Sequence, residues 1–166
     1  KIALIRWAEE IRRNRDLLED DIRKVIAEST LELKGDIAIL TVRQPLFERI
    51  SLVAKQCGSR FFQLTQGVET FTIAFDERYY LKVVNLVGEA NVVYSVRNQS
   101  AIILVSPEEI IYVPGIIAYM TTVLARNNIN ITQIISCYRD TIFIVDKNQA
   151  LNAYDVLKKL ISETRR

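Results

Sequence analysis

The sequence predicts an α+β fold: an N-terminal helical segment over residues 1–29, then two βαββαβ modules with antiparallel sheets over residues 30–98 and 99–166. Three observations carry this expectation. The chain repeats itself at an offset of 70 residues, each copy switches between helical and strand periods, and 166 residues with 49% apolar content suffice for two small cores.

Residues 1–28 place Ile5, Ala8 and Ile11, then Leu18, Ile22, Val25 and Ile26 at helical spacing, and Asp16 with Glu19 forms a capping-box pair. Arg12, Arg13 and Arg15 suggest a nucleic-acid arm, but the segment holds 7 basic and 7 acidic residues. A solvated face on a packing or dimerising helix fits that balance better.

The first copy opens with a β-branched strand, Asp36 to Val42, followed by a helix bearing Leu46, Ile50, Val53 and Ala54. Seventy residues on stand Ile116, Met120, Val123 and Leu124, with a strand at Ala101 to Val105 ahead of them. The register continues. Phe61 and Leu64 meet Ile131 and Ile134; Ile73, Phe75 and Asp76 meet Phe143, Val145 and Asp146; Leu81, Val84 and Val87 meet Leu151, Tyr154 and Leu157. With a further strand at Asn91 to Val96, the first copy reads βαββαβ, the split βαβ unit of ferredoxin-like folds.

The second copy ends in "SETRR", where its own last strand is due. That omission leaves Ala101 to Val105 with unpaired backbone groups. A tight turn at Arg97-Asn98-Gln99-Ser100, pairing residues 92–97 with 101–105, is the expected cover, and a partner chain is the alternative.

Composition excludes several classes of function. With 22 basic and 20 acidic residues the net charge is +2, so no basic footprint for nucleic acid is visible. No apolar run reaches the roughly 20 residues that span a bilayer, and Arg6, Glu9 and Glu10 break any signal-peptide core. Histidine is absent, which removes Ser-His and Cys-His pairs. Cys57 and Cys137 lack metal-ligand spacing and are expected to be free, buried thiols, which points to a cytoplasmic location. Glu108-Glu109 and Glu19-Asp20-Asp21 are adjacent acids that do not converge as an acid and base do, and "RFF" and "RYY" fit packing better than base stacking.

One stretch carries candidate chemistry. In the first copy the strand-to-helix connection is Arg43-Gln44-Pro45; in the second it is the ten-residue "SPEEIIYVPG". Added loop length is where function tends to sit. A helix opening after Pro114 and Gly115 offers unpartnered N–H groups to a carboxylate, while Asn128, Thr132 and Ser136 offer short polar groups for an ammonium or hydroxyl. The same residues also suit local roles: Pro-Gly starting the helix, Asn128 turning after it, Thr132 and Ser136 bonding nearby backbone.

Residues Tyr112 to Asp146 resemble the ACT domain, an amino-acid-sensing module of aspartate kinases and other enzymes of amino-acid metabolism. The words that carry this are Pro114, Gly115, Ile116, Ala118, Leu124, Ala125, Asn128, Ile129 and Ser136, followed by "DTIFIVDKNQAL". The second copy carries them well, whereas the first keeps the periodicity without the Pro-Gly or Asn-Ile words. The tandem arrangement is similar to the regulatory region of aspartate kinases, without a kinase domain.

The resemblance implies a ligand touching Pro114, Gly115, Ile116, Ile131, Thr132, Ser136 and Cys137. Lysine-sensing relatives carry an acid where this chain has Thr132, a departure that weighs against a basic ligand. It also implies a non-catalytic regulator with no cofactor and no metal that binds an amino acid or similar effector and signals through a homo-oligomer, dimer or higher, or through an enzyme of amino-acid metabolism. Two alternatives are the sensor part of a transcription regulator with an upstream DNA-binding segment, and a structural oligomerisation module without ligand.

Overall fold

The computed structural model describes residues 19–43, 47–57 and 60–165. The helix expected over residues 1–18, the capping box at Asp16, and Gln44 to Leu46 fall outside them. The elements are helix α1 (residues 19–28), β1 (Thr30–Arg43), α2 (Phe47–Cys57), β2 (Phe62–Gln66), β3 (Thr70–Asp76), α3 (Tyr80–Val87), β4 (Val92–Val105), α4 (Ile116–Arg126), β5 (Ile131–Cys137), β6 (Asp140–Asp146) and α5 (Ala150–Thr164). The described residues form two compact units, one within residues 34–101 and one of residues 19–33 with 102–165. The division falls inside β1 and again inside β4, so each long strand serves both units.

Within residues 34–101 the strands hydrogen-bond in the order β2-β3-β1-β4. Antiparallel pairing runs from Ile37 opposite Asp76 to Arg43 opposite Thr70, and from Phe62 opposite Phe75 to Gln66 opposite Phe71. Leu40, Ile50, Val53, Ile73, Phe75, Val83 and Val87 fill the core. Asp76 closes β3. Its carboxylate accepts from Arg78 Nε at 2.9 Å and Nη2 at 2.8 Å, and these bonds hold it below the usual carboxylate range.

The turn expected at residues 97–100 is not formed; β4 runs unbroken from Val92 to Val105. Gln99 and Ser100 are buried, which a solvent-facing hairpin turn does not permit. Glu77 supplies the physical reason. It accepts from Arg97 Nε at 2.8 Å and from the Asn98 N–H at 2.9 Å, pinning the segment while Asn98 takes a left-handed φ of 55°. The effect is that of a bulge, which bends a strand without ending it.

The second unit has the strand order β1-β4-β6-β5, and its share of β1 is residues 30–33. These residues occupy the place of the last strand, since no strand follows α5 among the described residues. The cover for the edge of residues 102–105 is therefore an earlier piece of the same chain. Around this junction Ser29 Oγ donates to the Val25 carbonyl at 2.7 Å and lies 3.0 Å from the Ser106 hydroxyl. Arg165 donates to the carbonyls of Ala27 and Ser29 at 2.6 and 3.0 Å, tying the end of α5 to the α1–β1 corner.

The core of this unit joins Ile22, Val25 and Ile26 of α1 to Ile102, Leu104, Ile116, Met120, Leu124, Phe143, Val145 and Leu157. The α1 stripe is therefore a packing face. Two expectations need correction. Leu81 and Leu151 are exposed, because α3 and α5 turn Val83 with Val87 and Ala153 with Leu157 inward instead. Cys57 is a buried free thiol, but Cys137, at the end of the edge strand β5, is an exposed one.

These positions set a contrast. Phe143→Ala should cost about 3–5 kcal/mol by denaturant unfolding, as truncation of a fully buried aromatic does. Leu151→Ala, at a 70% exposed side chain, should stay within about 0.5 kcal/mol of the parent.

Candidate functional site

The long connection between β4 and α4 folds into a defined shape. At its start the Ser106 N–H donates to the Arg139 carbonyl at 2.9 Å, and Arg139 Nε returns a bond to the Ser106 carbonyl at 2.7 Å. Pro107 then leads a 3-10 turn over Glu108–Ile111, closed by Tyr112 N–H to the Glu109 carbonyl at 2.9 Å. Glu108 accepts from the Tyr138 hydroxyl, and this bond pushes the phenol pKa up. The loop is thus strapped to the β5–β6 turn at two places.

Gly115 ends the loop in the left-handed region, φ 91°, and is the N-cap of α4. A Cβ there would stand 3.3 Å from Cδ1 of Ile22, so α1 also lies close against this turn. The helix starts with no acidic residue in its first turn and no side-chain cap, and its first backbone bond is Tyr119 N–H to the Gly115 carbonyl at 2.8 Å. The N–H groups of Ile116, Ile117 and Ala118 precede that bond, forming the positive end of the helix.

Loop, helix start and turn together enclose an open cleft of about 720 Å³. Ile110, Ile111 and Val113 form its loop side; Pro114 and Gly115 its corner; Ile116, Ile117 and Ala118 its helix side; Ser136 and Tyr138 the far rim. No Asp, Glu, Lys or Arg lines it among the described residues. Tyr138 holds a left-handed φ of 52°, uncommon for a bulky residue and a local cost at the rim.

Of the residues singled out by sequence, Pro114, Gly115, Ile116 and Ser136 converge on this cleft. Cys137 follows Ser136 at the strand end but does not line it. Asn128 lies beyond the far end of α4, an eleven-residue helix roughly 16 Å long. There, at φ 57°, its carbonyl accepts from Gln149 Nε2 at 3.1 Å and closes the helix. Ile131 packs against the unit's core at the start of β5, and Thr132 sits at a bulge, four positions or about 13 Å from Ser136. The expected set therefore divides between two ends of the module. Sequence reasoning passed over Ile110, Ile111, Val113, Ile117, Ala118 and Tyr138; the apolar residues inside an otherwise polar long loop were the available signal.

Among the described residues no group of His, Cys, Asp and Glu is arranged to hold a metal, and no helix is long and apolar enough to cross a membrane.

Residues 94–159 match the family model described as the ACT domain, a span that contains every residue lining the cleft. Comparison with curated proteins yields no match. Among solved structures, the aspartate kinase of Clostridium acetobutylicum superposes with a TM-score of 0.66 at 15% identity, over 80% of this chain and 34% of that one. The present chain thus corresponds to about a third of that enzyme. The ligand-free regulatory subunit of aspartate kinase from Thermus thermophilus gives 0.62 at 13% identity, over 78% and 95%. A Vibrio cholerae protein of unknown function, described as a possible transport protein, gives 0.63 at 19% identity, over 87% and 98%. The α+β fold is that of ferredoxin-like ACT regulatory regions.

Gly115→Ala should destabilise the protein by about 1–2 kcal/mol in urea unfolding, because the left-handed backbone penalises any Cβ. In an Ile22→Ala background most of that penalty should remain, since the second change removes only the steric part.

Proposed function

We propose that this chain, whose residues 94–159 match the ACT domain model, is a non-catalytic regulatory protein that binds a small effector, an amino acid, in the cleft before α4. The observation that carries this is the cleft itself: an uncapped helix start, a ten-residue loop folded over it and a polar rim residue, Ser136, within the matched span. The likeness to regulatory subunits of aspartate kinases supports a regulatory role without catalysis. Occupancy would favour one arrangement of loop and turn and so shift an existing equilibrium of association, with a second copy or with an enzyme of amino-acid metabolism. The proposal includes a cytoplasmic location, consistent with the two free thiols.

A structural oligomerisation module is the second possibility, favoured by the exposed Ile111, Tyr112, Ile117 and Tyr138 around the cleft mouth. An amino-acid screen separates the two. A ligand at 100 times its dissociation constant should add about 2.7 kcal/mol of stability, visible as a raised melting point, and should alter the elution volume in size exclusion. If none of the twenty amino acids moves the melting point, the sensor proposal fails and the oligomerisation module stands.

A further inference from the structure

Thr141 lies on β6 directly opposite Ser136 of β5. Residues directly opposite in an antiparallel pair emerge on the same face of the sheet, so the Thr141 side chain leaves on the face that Ser136 presents to the cleft. Thr141 is 1% exposed, and its Oγ1 has no hydrogen-bond partner among the described residues. Its neighbours along the same face, Phe143 and Val145, are apolar core. A valine there would fill the same space without the cost of an unmet hydroxyl.

The cleft adds the second half of the inference. A charged ligand side chain would meet no opposite charge among the residues that line it and would lose its hydration without compensation. An apolar side chain, by contrast, would be covered by Ile110, Ile111, Ile117 and the Tyr138 ring. A carboxylate has its place at the N–H groups of Ile116 to Ala118. An ammonium then needs acceptors on the opposite wall, which Ser136 lines; Thr141, its partner on β6, does not itself line the cleft, and its buried hydroxyl would be reached past the Ser136 side chain.

Resting on the proposed effector site, we infer that Thr141 is the buried polar anchor of the cleft, and that the occupant is a neutral amino acid with a branched apolar or aromatic side chain.

Calorimetric titration of the whole chain with leucine, isoleucine, phenylalanine, lysine and aspartate tests both halves. One or more of the first three should bind and the two charged amino acids should not. Thr141→Val should weaken binding about tenfold or more, the loss of one hydrogen bond to a charged group, while Thr141→Ser should hold affinity within a few-fold. The unliganded Thr141→Val protein should melt no lower than the parent, which excludes misfolding as the cause.

If leucine-class ligands bind parent and Thr141→Val alike, Thr141 is not in the site, although the effector proposal survives. If lysine or aspartate binds best, the ligand class is wrong. A lowered melting point of the Thr141→Val protein would mean the hydroxyl serves the fold, and binding of no amino acid by the parent would overturn this inference together with the effector proposal.

Discussion

The second unit depends on one requirement: the backbone of residues 102–105, paired on one side with β6, must be paired on the other. Residues 30–33 meet it, although they precede the other unit in the chain. Because α1 ends where β1 begins, the same pairing brings Ile22, Val25 and Ile26 into the core and sets Ile22 beside Gly115. The helix ahead of the first module is in this way a structural part of the module that holds the cleft. A side chain added at Gly115 would press on Ile22 of α1.

The cleft owes its form to a difference between two copies of one motif. Each copy places a helix after its first strand, but the second inserts a loop that folds as a 3-10 turn and is strapped to Tyr138 and Arg139. Those straps fix the loop's apolar residues over the helix start. The uncapped start of α4 opens onto this cleft, with the apolar loop residues on one side and Ser136 and Tyr138 on the far rim.

The repeat was legible because packing imposes one period on both copies. β3 and β6, Thr70–Asp76 and Asp140–Asp146, stand 70 residues apart, as do the starts of α3 and α5. Pro114, Gly115, Ile116 and Ser136, singled out by a Pro-Gly helix start and a short polar side chain at a strand end, do line one cleft. What escaped depended on distant partners. Arg97-Asn98-Gln99-Ser100 reads locally as a turn, and only Glu77, twenty residues earlier, shows why it stays a strand. Gly115 suggests close approach to a ligand, yet its left-handed φ and the Ile22 side chain already account for a glycine there. Asn128 follows a helix by only a few residues, and nothing local says that a helix's length separates it from Gly115. Thr141 carried no signal, since a single threonine in an apolar strand is unremarkable until its hydroxyl proves to be buried and unmet.

The central claim is that a small amino acid occupies the cleft before α4. Amide chemical-shift mapping during titration with leucine tests it most directly, because each lining residue reports separately. The account predicts the largest shifts at Ile116, Ile117, Ala118, Ser136 and Tyr138, with Thr65 and Gln66 of β2 unmoved. Shifts centred on β2 or β3, or saturable binding that leaves the amides of Ile116 to Ala118 in place, would contradict it.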